Sequence, residues 1–397
     1  AIMHYDLIII GSGLAAYTLA KEWRKINHES TLCIITQSNG AFYSKPMLST
    51  ALANNKTAED LLLHSSGQMA DSLNATIITH KAVNRIDPKK HFVHMGKVHF
   101  TYKQCVLATG ASPIIPAWSG RGVGKVNHIN QWEDYQQFRQ TFSDAKIITI
   151  IGSGLVGCEF AHDLSHEKHE VHIISTDDHP LKQLVPEPLG EVLQHALEKR
   201  GIHWHLNSTV QSIDESGHQL HTDFLKHGKK AQLVSDMVIS AVGLRANTHL
   251  ASNSKIPCSP RGILVDRYGQ SSQSDIFALG DCASIDGFTG KYVAPILFSS
   301  RALAQTLNHK PTIIDFPVMP IVVKTPDCPI ACTTGEENDG QWEIQGTAPN
   351  LKACFYKNRQ LIKFALSGTC TKERVALCKQ VKPFFDQGLA SFNKNGT

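Results

Sequence analysis

The stretch IIGSGLVGCEFAHDL, Ile150–Leu164, decides the fold, because a near copy, IIIGSGLAAYTLA, has already run from Ile8 to Ala20. Each copy joins an apolar strand to a helix through a glycine-rich turn. Glycines at 11 and 13 allow a tight turn and let a pyrophosphate approach the amides at a helix N-terminus. Ala16 stands where the third glycine of such turns is often found. The second turn has all three, Gly152, Gly154 and Gly157, and is the stronger match. One such turn is weak evidence; two on one chain predict two dinucleotide sites.

The bulk composition fits a folded protein of more than one domain. The chain has 397 residues, 42% hydrophobic and 19% charged, with a formal charge of +4. That length suggests two or three domains. No long run of like charge is present, and KEWRK at Lys21 reads as a helix face, so no nucleic-acid partner is expected. The apolar run Leu7–Ile10 stops at Gly11, too short for a signal segment or a membrane span. The expected compartment is the cytoplasm. Ten cysteines are scattered with no CxxC, and the closest pair, in CPIAC at Cys328 and Cys332, fits neither zinc nor a redox dithiol, so buried free thiols are expected. The 21 histidines show no HExxH, and His162 with His166 reads as a polar helix face, so no metal site is expected.

The order of segments repeats. YDLIII reads as a strand, Leu14 to Trp23 as a helix and TLCIIT as a second strand, forming a βαβ unit that ends in short strands between Asn74 and Gly110. KIITIIG, Leu155 to Leu164, HEVHIIS and a helix over Pro188 to Lys199 repeat the plan, ending at DMVISAVG. The chain crosses between units near Pro113 to Pro116 and near Gly243. DIFALGDCA then reads as a strand running into a helix start, before the helix SSRALAQTL. From about Met319, MPIVVKT, WEIQGT, KACFYK and QLIKFALSG predict an antiparallel sheet followed by a helix or two. The expected fold is α/β: two Rossmann-like dinucleotide-binding domains, one discontinuous over 1–113 and 244–318 and one over 114–243, plus a smaller α+β C-terminal domain over 319–397.

The first of the two second strands lacks the usual ribose-binding carboxylate. The first ends in Thr36, Gln37 and Ser38, so a hydroxyl, an amide or backbone groups must serve. The second ends in Ser175, Thr176 and Asp177. No arginine follows closely to hold a 2′-phosphate, although Lys182 is near, which favours NADH over NADPH. Two dinucleotides on one chain suggest hydride transfer between a bound flavin and a visiting nicotinamide.

GSGLAA, LATGASP at Leu107, GSGLVGCE and DIFALGDCA, in that order, resemble the flavoprotein reductases with two dinucleotide-binding domains, the class related to pyridine nucleotide-disulfide oxidoreductases. FYSKPMLST, Phe42–Thr50, narrows the branch. Disulfide reductases carry a reactive cysteine there, and no cysteine lies between Cys33 and Cys105. YSKPMLST, GCEFAHDLS, VISAVGLR, YVAPI and MPIVVKTPDCP together resemble the bacterial rubredoxin reductases, those without a redox-active disulfide that feed alkane hydroxylation.

The resemblance implies a tightly held, non-covalent FAD that takes a hydride from NADH at N5 and passes electrons singly to rubredoxin. It places Gly11, Ser12, Gly13, Leu14, Ala15, Thr36 and Gln37 at the FAD nucleotide end. Lys45, Pro46, Val83, Ala108, Thr109 and Gly110 follow, then Gly280 and Asp281, with Asp281 on the ribityl chain or serving as a helix N-cap. Tyr292, Val293 and Pro295 would meet the ring. Lys45, paired with Glu159, would sit on the N5 side and Lys324 at the pyrimidine edge; Lys45 and Glu159 are the catalytic candidates. Alternatively, Glu159 complements the helix dipole, and either lysine is simply solvated. Gly152, Gly154, Leu155, Val156, Gly157, Ser175, Val242 and Gly243 would take NADH. A mild basic excess would steer an acidic carrier, with Lys45, Arg301 and the lysines near Lys352 as candidates. Rival acceptors are a [2Fe-2S] ferredoxin or a rubredoxin-like domain of a nitric-oxide-reducing system. A rival of another class is an NADH-sensing flavoprotein acting through protein partners.

Overall fold

The computed structural model describes residues 2–290 and 295–387. The first sheet is built from β1 (Met3–Ile10), β2 (Leu32–Ile35), β3 (Thr76–Ile78), β4 (Arg85–Asp87), β5 (Phe92–Met95) and β6 (Val98–Leu107), in the order β3-β2-β1-β6-β5-β4. Leu7 to Ile10 are buried without interruption, as a parallel strand covered on both faces requires. Helix α1 (Leu14–Ile26) covers one face through Tyr17, Leu19 and Trp23.

The second unit repeats the plan with β7 (Ile147–Ile151), α2 (Leu155–Leu164), β8 (Glu170–Ile174), α3 (Glu187–Lys199), β9 (His203–His205) and β10 (Met237–Ser240), giving a parallel sheet in the order β9-β8-β7-β10. A three-stranded antiparallel meander, Ser208–Ser216, Gln219–Lys226 and Lys229–Ser235, covers its other face through Ile213, Leu220 and Phe224. The two crossings lie side by side. Ala111–Pro113 pairs antiparallel with Leu244–Ala246, and the Ile114 amide donates to the Gly243 carbonyl at 3.0 Å.

β11 (Ile276–Ala278) returns to the first sheet and pairs parallel with β6. The sequence after it departs from expectation. Gly280–Cys282 forms a single 3-10 turn leading into a short strand, Ala283–Ile285, so Asp281 caps no α-helix. The run is too short for one, because Ala283–Ile285 pairs at once with Gly262–Val265. Helix α4 (Ile296–Leu307) then packs on α1.

The last sheet contains β12 (Ile321–Val323), β13 (Ile330–Cys332), β14 (Gln341–Thr347), β15 (Asn350–Lys357) and β16 (Gln360–Ser367), all antiparallel, in the order β12-β13-β16-β15-β14. β13 lies in the CPIAC segment, where cysteine spacing alone gives no sign of a strand. Among the described residues the C-terminal helices are brief: Gly368–Glu373 is 3-10, Arg374–Cys378 a single α-turn and Phe384–Asp386 a 3-10 turn. Ile321, Val323, Ile330 and Ala353 share one apolar cluster with Ile148, Cys158 and Leu164, so this sheet closes over the second unit. All ten cysteines are free.

Ile9 is fully buried at the centre of the first sheet. Truncating it to alanine is expected to cost about 2–5 kcal/mol through lost burial and the cavity left behind, read as a fall in denaturant midpoint. An unchanged midpoint would mean that this sheet is not where the first unit's cohesion resides.

Candidate functional site

The two glycine turns open into one cavity of about 1710 Å³. Gly11 and Gly152 hold equivalent strained conformations, with φ of +119° and +117°. A Cβ on either would stand 1.9 Å from the Ala108 carbonyl oxygen or 2.2 Å from that of Ala241, so the close passage of strand end and loop requires glycine at both. Gly13 and Gly154 differ, with open space where a Cβ would be. Each is the N-cap of its helix, without a side-chain cap, so the first amides of α1 and α2 are left to an incoming acceptor. The residues therefore fit a pyrophosphate at each turn.

Hydroxyls bridge turn to strand end in the same way twice, although the second strand end also carries a carboxylate, Asp177. Ser12 Oγ lies 2.7 Å from Thr36 Oγ1 and 3.0 Å from Ser38 Oγ, while Ser153 Oγ donates to Ser175 Oγ at 2.6 Å. Gln37 is exposed and lines the cavity. Ser175 is buried, leaving Thr176 and Asp177 more open at the rim. Lys182, the nearby cation, is held by Asp178 at 3.1 Å.

Leu14, Ala15, Pro46, Val83, Ala108, Thr109, Gly110 and Gly280 join the first turn around the cavity, and Leu155, Val156, Val242 and Gly243 join the second. Gly157 does not line it: a Cβ there would meet the Gly152 carbonyl at 2.2 Å, so it serves helix-to-turn packing. Tyr292 and Val293 lie outside the described residues; Pro295 is the N-cap of α4. Sequence reasoning missed Asn247, whose amide donates to the Thr109 carbonyl at 2.8 Å while its own carbonyl accepts from Thr109 Oγ1 at 2.8 Å, tying LATG to the return crossing. It also missed Ser49, inside FYSKPMLST but not singled out there, and Asn130, which lies in no motif; both line the cavity.

The charged groups are arranged differently from the expected pairing. Glu159 is held by Lys324, not Lys45: its Oε2 accepts the Lys324 backbone amide at 2.7 Å and its Oε1 lies 3.5 Å from Lys324 Nζ. Helix α2 carries Glu159 under the end of β12, where Lys324 offers both its amide and its ammonium. Lys324 Nζ also donates to the Pro46 carbonyl at 2.8 Å, joining the last sheet to the Lys45–Thr50 turn. Burial raises Glu159 above the usual carboxylate range, against the pull of Lys324. Lys45 instead faces Asp281 and Asp134 electrostatically, and burial holds its ammonium below the usual lysine range. Burial raises Asp281, with Lys45 opposing. Arg301 lies 3.7 Å from Glu22 and Lys352 3.1 Å from Glu373. Cys158 and Cys282 are buried, which pushes their thiols up and away from a reactive thiolate.

His162 is not on a polar face. Every residue from Gly157 to Leu164 is buried, because α2 has the sheet on one side and the Lys45–Thr50 turn and last sheet on the others. The His162 ring is 2% exposed, lies tilted against His166 with centroids 5.0 Å apart and has Arg200 and the 3.8 Å carboxylate of Asp327 beside it. Asp163 accepts the Leu52 and Ala53 amides at 3.1 and 2.8 Å, and burial raises its carboxyl to about 6.

Comparison with known proteins gives the family. The pyridine nucleotide-disulphide oxidoreductase profile matches residues 5–306, and the chain belongs to that family. A second profile, described as a rubredoxin binding C-terminal domain, matches residues 313–381. A relative from Alcanivorax borkumensis named rubredoxin-NAD(+) reductase is 36% identical over 380 residues, 95% of this chain and 98% of its own. One from Aliivibrio fischeri, named nitric oxide reductase FlRd-NAD(+) reductase, is 32% identical over 96% of this chain and 99% of its own. The solved NADH:rubredoxin oxidoreductase of Clostridium acetobutylicum superposes with a TM-score of 0.77 at 20% identity, over 98% of each chain. Among the described residues no helix is long and apolar enough to cross a membrane.

Burial, with Arg200 adding to it, holds His162 at about 4, against 6.5 for an ordinary histidine. The unfolded chain then binds this proton first, so stability falls as pH drops from 6.5 towards 4. His162→Gln is expected to reduce the loss in melting temperature between pH 7.5 and 5. An equal loss in both proteins would show that the ring is protonated in the folded state.

Proposed function

We propose that the chain is an FAD-dependent NADH:rubredoxin oxidoreductase, working in the cytoplasm and supplying electrons for alkane hydroxylation. The observation that carries the reading is the single cavity reached by both glycine turns, which lets two dinucleotides meet end to end. FAD, when bound, supplies the chemistry, since it accepts a hydride at N5 and returns two electrons one at a time to an iron carrier.

The remaining work falls to side chains and backbone. In this reading 1–113 with 244–318 hold FAD tightly but non-covalently, 114–243 hold NADH in preference to NADPH, and 319–397 receive the carrier. Gly13, Leu14 and Ala15 bind the FAD pyrophosphate, the Ser12–Thr36–Ser38 hydroxyls and Gln37 orient the adenosine end, and Asp281 accepts from ribityl hydroxyls. Gly152, Gly154, Leu155 and Val156 do the same for NADH, with Val242 and Gly243 along its path. Lys45 sets a positive charge beside the reacting ring, while Glu159 holds Lys324 in place for the ring's far edge. The site acts by positioning and electrostatics, with no acid, base or nucleophile.

A second reading, delivery to the rubredoxin-like domain of a nitric-oxide-reducing system, draws on the relative from Aliivibrio fischeri and leaves the hydride step unchanged.

The deciding measurement is anaerobic NADH-driven reduction of rubredoxin, of a flavorubredoxin-type domain and of a [2Fe-2S] ferredoxin, at equal concentration and two salt strengths. Fast, salt-sensitive reduction of rubredoxin is expected; a clear preference for either other carrier would reassign the acceptor. Lys45→Ala should retain flavin, lower its potential and slow carrier reduction roughly tenfold. Unchanged potential and turnover would remove Lys45 from the role given to it.

A further inference from the structure

At the open edge of the coenzyme-side sheet, well outside the cavity lining, three side chains with metal-binding chemistry converge. Glu170 and His172 are two residues apart on β8 and so share a face. Parallel pairing sets His172 beside His203 of β9, and Ile174 beside His205. His172 Nε2 is 3.1 Å from Glu170 Oε1, and His203 Nε2 is 3.7 Å from the same oxygen. The three donor atoms lie within 4.8 Å of one another. Among the described residues no other group of three such side chains comes together this way.

A fourth side chain gives the cluster the character of a built site. His172 Nδ1 lies 2.9 Å from His205 Nε2. That contact fixes the His172 ring with its Nε2 towards Glu170; with an ion on Nε2, the Nδ1–H would be the donor to His205, as in a ligating imidazole that donates its other N–H to a neighbour. The rings of His203 and His205 stack on His172 with centroids 4.6 and 5.2 Å away. His172 is largely buried, whereas Glu170 and His203 are half open to solvent, which leaves an approach for an ion.

We propose that Glu170, His172 and His203 form a binding site for a divalent late transition metal ion, of which zinc is the type, with His205 orienting His172 from behind. Two imidazole nitrogens and one carboxylate oxygen suit such an ion and leave a fourth position for water. The site is a clasp. It ties β9, which among the described residues is an edge strand paired on one side, to β8, and the His205 carbonyl accepts the Ser175 amide at 2.9 Å directly behind the second turn's strand end. The expectation that no metal site exists rested on spacing along the chain, and spacing does not register neighbours across parallel strands.

The test uses tag-free, flavin-loaded protein freed of metal by a chelator and titrated with Zn²⁺ by calorimetry. The wild type is expected to bind one Zn²⁺ per chain at least tenfold more tightly than His203→Ala or Glu170→Gln, and Zn²⁺ should raise the melting temperature of the wild type alone. Equal affinity and stoichiometry in all three proteins would overturn the proposal. Zinc-edge X-ray absorption on the wild type needs no variant: nitrogen and oxygen neighbours at about 2.0–2.1 Å are expected. Sulfur neighbours, supplied by free cysteines, would equally overturn it.

Discussion

Helix α2 has to satisfy three neighbours at once, and most of the site follows from how it does so. Its N-terminus is left bare for an acceptor, while its body, fully buried, carries Glu159, His162 and Asp163 among apolar contacts. Buried ionisable groups are costly unless partnered. Glu159 takes Lys324 from the last sheet, and Asp163 takes the amides of Leu52 and Ala53 from the segment that follows Lys45. The cost of burial is thereby turned into alignment, since the last sheet and the Lys45–Thr50 turn are each fixed to the helix whose first turn faces the cavity. Lys324 closes the arrangement by reaching the Pro46 carbonyl.

The two turns show what duplication retains and what it lets drift. The close approach between turn and loop is kept nearly atom for atom, Gly11 on Ala108 and Gly152 on Ala241, because no other residue has room there. The hydroxyl bridge from turn to strand end is kept too, as Ser12 with Thr36 and Ser153 with Ser175. The third glycine is not kept. Gly157 has the Gly152 carbonyl against it, whereas Ala16 sits fully buried at the matching place in α1.

Legibility in the sequence followed the range of the interactions. Strands buried on both faces and glycine turns are written in contiguous residues, so both βαβ units, the crossings near Pro113 and Gly243 and the antiparallel last sheet could be read directly. Partners chosen across the fold could not. Glu159 and Lys324 are brought together only when the last sheet closes over α2, and the same closure buries His162 on what looks like a polar face. Asp281 followed a strand in a way that suggested a helix, but the pairing of Ala283–Ile285 with Gly262–Val265 claims those residues first. The Glu170, His172 and His203 cluster is likewise a product of strand register.

The side-by-side crossings have a consequence for how the chain assembles. β11 must find β6 across the whole intervening unit, a long loop to close before the first sheet is complete. Because Ile114 and Gly243 are hydrogen-bonded neighbours, that unit begins and ends at the same point in space. Pairing those ends shortens the loop that β11 must close to reach β6, so the chain between Ile114 and Gly243 acts as a closed excursion from the first sheet.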